Sequence, residues 1–225
     1  MSRRVAVLTA AMAVIFLLPS APAQAANPLV TVALWKMDEP SGAATMVDSS
    51  GEGHDGANFG VKTGRAGFEG AAYFYGKTSP SFTRVLDSDL LDPSTHRFRV
   101  SLHFRVANLP PTSNVDLIRK GLSTTSGGDW KLQLWSTGRV DCLFRGSEGT
   151  VRVVSPVKVS TDHWHEVICK RSSNALVLSV DSTVTKQLGR AGEVANDAPV
   201  NLGAKDEAGA DSFVGKLDEV RIERS

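Results

Sequence analysis

Phe98-Arg99-Val100-Ser101-Leu102-His103-Phe104-Arg105-Val106 sets a large apolar side chain at every second position and a polar or charged one between each pair. A repeat of two is the signature of a β-strand, whose successive side chains leave opposite faces of the sheet. It predicts one buried face and one polar face. The same habit continues outward from this stretch. Trp130, Leu132 and Leu134 alternate with Lys131 and Gln133, and Val140, Cys142 and Phe144 oppose Asp141 and Arg145, with Leu143 as the exception. Leu176, Leu178 and Val180 repeat it over Ala175 to Asp181. Shorter candidates run Val32 to Met37, Ala71 to Tyr75, Phe82 to Leu86, Val115 to Lys120, Val151 to Ser155, Trp164 to Arg171, Val184 to Leu188, Val200 to Gly203 and Val214 to Glu223. Turn-forming residues stand between them, as in Gly127-Gly128-Asp129, Thr137-Gly138, Gly146-Ser147-Glu148-Gly149 and Asp181-Ser182. Many short strands with turns at this spacing predict an all-β sandwich or closed barrel. No segment has the apolar spacing of a long helix, and no internal linker or repeat is visible.

The first 25 residues have the character of an export signal. Arg3 and Arg4 precede an apolar stretch from Val5 to Leu18, Pro19, Ser20 and Pro22 break it, and Ala23-Gln24-Ala25 supplies a small-x-small cleavage pattern. The stretch is short against the roughly 20 residues that cross a bilayer, so cleavage after Ala25 is expected rather than an uncleaved anchor. Arg3-Arg4 invites a twin-arginine reading, which Ala6, Val7 and Leu8 match poorly. Residues 26–225 then form one secreted domain, a length that can bury a full core. No later apolar run approaches a membrane span, so a soluble product is expected. The whole chain carries +1, and residues 1–25 hold two arginines and no acid, so the remainder carries −1. Near neutrality argues against nucleic acid as a partner.

Cys142 and Cys169 are the chain's two cysteines. In an exported protein such a pair reads first as a disulfide, with two free buried thiols as the alternative. Half a metal site is disfavoured, because no CxxC or close His/Cys cluster accompanies either residue.

Three segments resemble the laminin-G-like, concanavalin-A-like jelly roll of bacterial secreted proteins. Leu34-Trp35-Lys36-Met37-Asp38-Glu39-Pro40-Ser41-Gly42 and Asp48-Ser49-Ser50-Gly51-Glu52-Gly53-His54-Asp55-Gly56 look like that family's opening motifs. Trp164-His165-Glu166-Val167 followed by Leu176 to Asp181 looks like its central hairpin, and Gly215-Lys216-Leu217-Asp218-Glu219-Val220-Arg221-Ile222 like its closing strand. Two departures stand out: Ser182 occupies a turn position where Gly is usual, and the chain stops at Ser225 without the aromatic that commonly follows. The resemblance implies a two-sheet antiparallel sandwich with first and last strands adjacent. It also implies that Cys142 and Cys169 lie on neighbouring strands, close enough to bridge.

Candidate chemistry concentrates in three places. By parity with Val220 and Ile222, Asp218 is expected to point into the core, where a lone carboxylate needs a cation or several donors. Asp48, Ser50, Glu52 and Asp55 gather hard oxygens in a glycine-rich loop of the kind that suits Ca²⁺, and the resemblance implies a structural calcium joining the two ends. Asp48 and Asp218, with Asp38 as a third ligand, are the nominated metal residues; otherwise Asp48 is a turn residue and Asp218 an acceptor from backbone amides. His163 and His165 flank Trp164, which reads as a structural pair beside a buried Trp rather than a metal or catalytic one. For a ligand, Trp135 shares parity with Lys131 and Gln133 and offers an indole to a sugar ring, with Arg139 and Arg145 as added donors.

Catalysis is not expected. No G-x-S-x-G elbow occurs, no E-x-D-x-x-E run of the glucanase type occurs, and Asp38-Glu39 and Asp218-Glu219 are adjacent pairs that face opposite ways. The leading reading is a secreted, non-catalytic module binding a polysaccharide or an extracellular protein. The alternatives are a glycan-active hydrolase or lyase on the same fold and a purely structural domain. The export signal sets a direct test: N-terminal sequencing of secreted protein should begin at Ala26, and retention of Met1 would overturn the cleavage site.

Overall fold

The computed structural model describes residues 27–77 and 81–225, so the segment read as an export signal, residues 1–25, lies outside the described residues. Sixteen strands occur among them, in chain order β1 (Val30–Trp35), β2 (Thr45–Met46), β3 (Gly56–Phe59), β4 (Lys62–Ala66), β5 (Ala71–Tyr75), β6 (Phe82–Val85), β7 (Phe98–Arg105), β8 (Asn114–Lys120), β9 (Asp129–Trp135), β10 (Val140–Gly146), β11 (Gly149–Val154), β12 (Trp164–Arg171), β13 (Ala175–Val180), β14 (Thr183–Leu188), β15 (Val200–Leu202) and β16 (Gly215–Arg224). One sheet runs β14-β13-β12-β7-β16-β5-β4, with β1 also paired to β16, and the other runs β11-β10-β9-β8-β15-β6-β3-β2. This is the expected two-sheet antiparallel jelly roll, with β1 beside β16 from Val30 opposite Arg224 to Trp35 opposite Val220.

Periodicity explains most of it. Phe98, Val100, Leu102 and Phe104 are buried while Arg99, Ser101, His103 and Arg105 are not, as the opening stretch requires. From the facing sheet, Trp130 and Phe144 pack against Phe98 with ring centroids 5.5 and 6.1 Å away. The strands β2, β3 and β4 were not expected: they are short, and Gly56, Asn58 and Gly64 hide any alternation. Asp181 and Ser182 both take positive φ (47° and 70°), the backbone of a tight type I′ hairpin, so Ser182 fits its turn without the usual glycine.

Two expectations need correction. Cys142 and Cys169 are bonded, with Cα atoms 6.3 Å apart. They do not lie on neighbouring strands, because Cys142 is on β10 and Cys169 on β12, in different sheets. Both point inward, so the bridge crosses the core and ties the layers together. Asp218 does not point into the core. The pairing of β16 with β7 shifts register between Asp218 and Arg221, and Glu219 has φ 48°. This bulge inserts a residue and reverses parity. Leu217 (opposite Phe104), Val220 and Ile222 (opposite Val100) are core residues, whereas Asp218 lies opposite His103 on the outer face. It is nevertheless fully buried, under the turn that joins β4 to β5.

The inter-sheet bond restrains the unfolded chain across 27 residues of separation. Chain-entropy arguments give about 3.5 kcal/mol for a loop of that size. A Cys142→Ala/Cys169→Ala double variant should lose about that much in urea unfolding, and an unchanged midpoint would show that the bond is not formed in the folded protein.

Candidate functional site

The outer face of the second sheet is built by register. Strand β9 sends Trp130, Leu132 and Leu134 inward, which leaves Asp129, Lys131, Gln133 and Trp135 outside. Lys131 faces Leu143 on β10 and Arg119 on β8. Leu143 in turn faces Arg152 on β11, and Arg119 faces Asn201 on β15, which faces Arg84 on β6. The row Arg152–Leu143–Lys131–Arg119–Asn201–Arg84 thus crosses six strands, a span of about 24 Å at ~4.8 Å per strand. One step away along the strands, Asp141, Gln133 and Asp116 form a parallel row; one step the other way, Arg145 faces Asp129.

These are not ordinary solvated side chains. Asp116, Asp129, Gln133 and Asp141 have no exposed surface, and Arg119 has 3%. Arg119 donates to Asp116 Oδ2 and Gln133 to Asp116 Oδ1, both at 2.7 Å. The indole of Trp135 donates to Asp141 Oδ1 at 2.7 Å, and Arg152 Nε lies 2.8 Å from Asp141 Oδ2. Burial pushes the Asp116 and Asp141 carboxyls up, against the pull of Arg119 on Asp116 and of the Trp135 indole and Arg152 on Asp141. It pushes the Lys131 ammonium down, against the attraction of Asp116. Several buried acceptors still lack a hydrogen bond: both oxygens of Asp129, Gln133 Oε1, Asn201 Oδ1 and Asp141 Oδ2. The nearest cations to Asp129 are Arg145 Nε at 3.5 Å and Arg119 Nη2 at 3.9 Å, too far or too poorly aligned to serve as donors. At the Arg119 end the row opens into a cavity of about 240 Å³, lined in part by Arg84, Arg119, Thr125, Asn201 and Lys205.

The three residues nominated from sequence for a ligand do not form one group. Trp135 is half-buried, and Arg152 lies over its ring at 5.4 Å. Arg139 stands just before β10, bonded to the Ser155 carbonyl. Arg145 stands six positions further on, roughly 20 Å along the strand, bonded to the Ser123 carbonyl and Thr150. Sequence reasoning missed Arg119, Asn201, Arg152 and Asp116. Outward parity marks all four as surface, and only the cross-strand register shows that they share two rows.

The nominated metal residues each serve the backbone. Asp48 accepts from the Leu34, Ser50 and His54 amides and the Ser50 hydroxyl at 2.7–3.0 Å, which together outweigh burial and hold its carboxyl below the usual range. Asp38 accepts from the Ala71 amide at 2.8 Å. Asp218 accepts from the amides of Phe68, Glu69 and Glu219 at 2.7, 3.3 and 3.0 Å. Among the described residues no three His, Cys, Asp or Glu side chains gather as a metal site; Asp38 and Asp218 both serve the β4–β5 turn, whereas Asp48 serves the amides of Leu34, Ser50 and His54. His165 is buried, with Nδ1 2.5 Å from Asp181 and Nε2 2.9 Å from the Ser160 carbonyl, while its neighbour Trp164 is the half-exposed one. His163 turns to Thr161, so the two histidines share no ligand.

Comparison with known proteins follows this geometry. The family model described as the concanavalin A-like lectin/glucanases superfamily matches residues 82–225. The fold is similar to the binding domain of Paraclostridial Mosquitocidal Protein 1, with TM-score 0.67 and 14% identity over 86% of this chain and 48% of that one. It is also similar to Domain 4 of AbnA, a GH43 extracellular arabinanase from Geobacillus stearothermophilus solved with arabinotriose, with TM-score 0.65 and 18% identity over 88% of this chain and 94% of that one. The botulinum neurotoxin serotype G binding domain gives TM-score 0.62 and 9% identity over 85% and 47%. The chain thus spans about half the length of the two toxin domains, and at these identities the likeness is one of fold. A comparison with curated proteins finds no match.

Burial pushes the Asp218 carboxyl up to about 6, against the three amides that favour its ionised form. In the unfolded chain the same group ionises near 4. The folded protein therefore holds this proton more tightly, and stability from this group is lost as pH rises from about 4 through 6. Asp218→Asn should remove that dependence. The stability difference between variant and wild type should move in the variant's favour by about 2–3 kcal/mol from pH 4 to pH 7, and a difference flat with pH would refute the assignment.

Proposed function

This chain belongs to the concanavalin A-like lectin/glucanase superfamily, and on that premise we propose that it is a secreted, non-catalytic module that binds a polysaccharide on the outer face of its second sheet. One observation carries the reading. The row Arg152–Leu143–Lys131–Arg119–Asn201–Arg84 lays hydrogen-bonding side chains across six strands, with half-exposed Lys131 near its centre, and opens into the cavity lined by Arg84, Arg119 and Asn201. A polyhydroxylated chain supplies donors at regular intervals, and a row of about 24 Å suits several sugar units better than one small molecule. Lys131, half-exposed at the centre of the row, supplies the donors that orient sugar oxygens. The similar arabinanase domain was solved with arabinotriose, which agrees with this ligand class.

The competing reading is hydrolysis. Asp116 and Asp141 lie on one row on either side of Gln133, two strand spacings or roughly 10 Å apart, near the separation used by inverting glycosidases. Both oxygens of Asp116 are already engaged by Arg119 and Gln133, however, and Asp141 is held by Trp135 and Arg152. Neither is placed as a free general acid.

Affinity electrophoresis against arabinan, xylan, β-glucan and chitosan tests the proposal. Retardation by at least one polymer is expected, and Lys131→Ala should weaken it about tenfold with the melting temperature unchanged. No retardation by any polymer would sink it, and reducing-sugar release that vanishes in Asp116→Asn would replace it with the hydrolase.

A further inference from the structure

We infer that an apolar cavity at one end of the sandwich binds a single-chain carboxylate of medium length, with the hydrocarbon tail inside and the carboxylate toward Lys77 at the mouth. The cavity shares no residue with the polar row of the second sheet and does not depend on the function proposed for that row.

The cavity measures about 350 Å³. Val106, Val115, Leu134 and Phe213 make its deep wall, and all four are buried core residues. Val106 follows β7, Val115 and Leu134 pair near the ends of β8 and β9, and Phe213 precedes β16. Leu109 and Val214, half-buried, stand nearer the surface. Native interiors hold few voids larger than one water molecule, so a space of this size between the layers is unusual. Water inside it would find few partners, because Lys77, Asn108 and Ser212 are the polar side chains of the lining. Ser212 already donates to the Gly209 carbonyl. An apolar occupant restores the dispersion contacts that the lining forgoes. An apolar cavity of about 150 Å³ holds one benzene molecule. By that scale this one holds on the order of a dozen carbon atoms, which is one medium-length chain and not the paired chains of a membrane phospholipid.

Charge selects the head group. Lys77 is exposed and is the one charged side chain of the lining. Phe74, another wall residue, lies between Lys62 and Lys216 on the outer face of the first sheet, and Lys216 lies opposite Arg105. Among the described residues Lys62, Lys77 and Lys216 form no ion pair. Lys216 donates instead to the Ala66 carbonyl, 2.7 Å away. Burial, then the positive charges of Arg105 and Arg65, push its ammonium down. Two acids stand near this group. Asp162, exposed, lies 3.7 Å from Arg105, and Asp211, next to Ser212, is paired with Lys205 at 3.6 Å. The surplus of cations favours an anion and opposes a cation at the mouth. A carboxylate on a hydrocarbon chain meets both conditions, the apolar interior and the basic rim.

The test is an NMR titration of the secreted protein with octanoate, octylammonium and butyrate, following the amides of Val106, Val115 and Val214. Octanoate should shift all three saturably at one site per chain. Butyrate, four methylenes shorter, should bind about a hundredfold more weakly. Octylammonium should bind more weakly than octanoate, and Lys77→Ala should weaken octanoate about threefold without weakening octylammonium. Val115→Phe and Val214→Trp, which fill the cavity from its back and from its mouth, should each abolish octanoate binding. Two filling variants are used so that one with a native amide spectrum remains if the other misfolds. No saturable shift with octanoate, equal affinity for octylammonium or butyrate, an octanoate affinity unchanged in Lys77→Ala, or binding that survives in a folded filling variant would each overturn the inference.

Discussion

The constraint on which the first sheet depends is the bulge in β16. This strand is paired along both edges, to β7 on one side and to β1 and β5 in succession on the other. A strand so enclosed cannot slip by one residue without turning its apolar side chains to the wrong face. Leu217 and Val220 are three apart, and a regular strand would send them to opposite faces. The extra residue at Glu219, in a left-handed conformation, lets both face the core. It also leaves Asp218 on the outer side, where it becomes the anchor of the β4–β5 turn. One local irregularity therefore sets both the packing of the core and the position of that turn.

One end of the sandwich is closed by buried charge. Lys120 has no exposed surface, and its ammonium lies 2.6 Å from Asp92 and 2.7 Å from Asp87, with the Asn196 carbonyl as a third partner. Arg171, also buried, donates to the carbonyls of Ser94, His96 and Gly192. Replacing such groups one partner at a time leaves a buried charge exposed to nothing, which destabilises far more than the intact pair stabilises. These contacts join loops distant in sequence to strand ends. The inter-sheet disulfide does the equivalent work covalently, across the middle of the core.

The alternation at Phe98 to Val106, and its weaker copies, made the sandwich and most of its strands legible, because burial of one face writes itself into every second residue. What was not legible has a common physical origin. Strands β3 and β4 carry glycines and lie toward sheet edges, where burial imposes little pattern. Parity carried through Asp218 gave the wrong face because a bulge leaves no mark in composition. Cys142 and Cys169 were rightly paired, but alternation reports only that each faces inward, and two inward residues can meet across a core as readily as along a sheet. The polar row failed for a different reason. Arg84, Arg119, Lys131 and Arg152 are scattered over 69 positions of chain (84 to 152, both ends included) and become neighbours only through pairings that depend on loop paths.

That separation has a consequence for how such a domain acquires function. Inward positions are fixed by packing, since a change of one methylene there is felt throughout the core. Outward positions answer only to the register, so their chemistry can change without altering the fold. The second sheet has filled those positions with carboxylates and amides that burial leaves short of donors, and the first has used a core-independent carboxylate to fix a turn. In both cases stability is given up at sites the core does not need. Core packing alone does not select these side chains, so either face can change its chemistry while the fold stays the same.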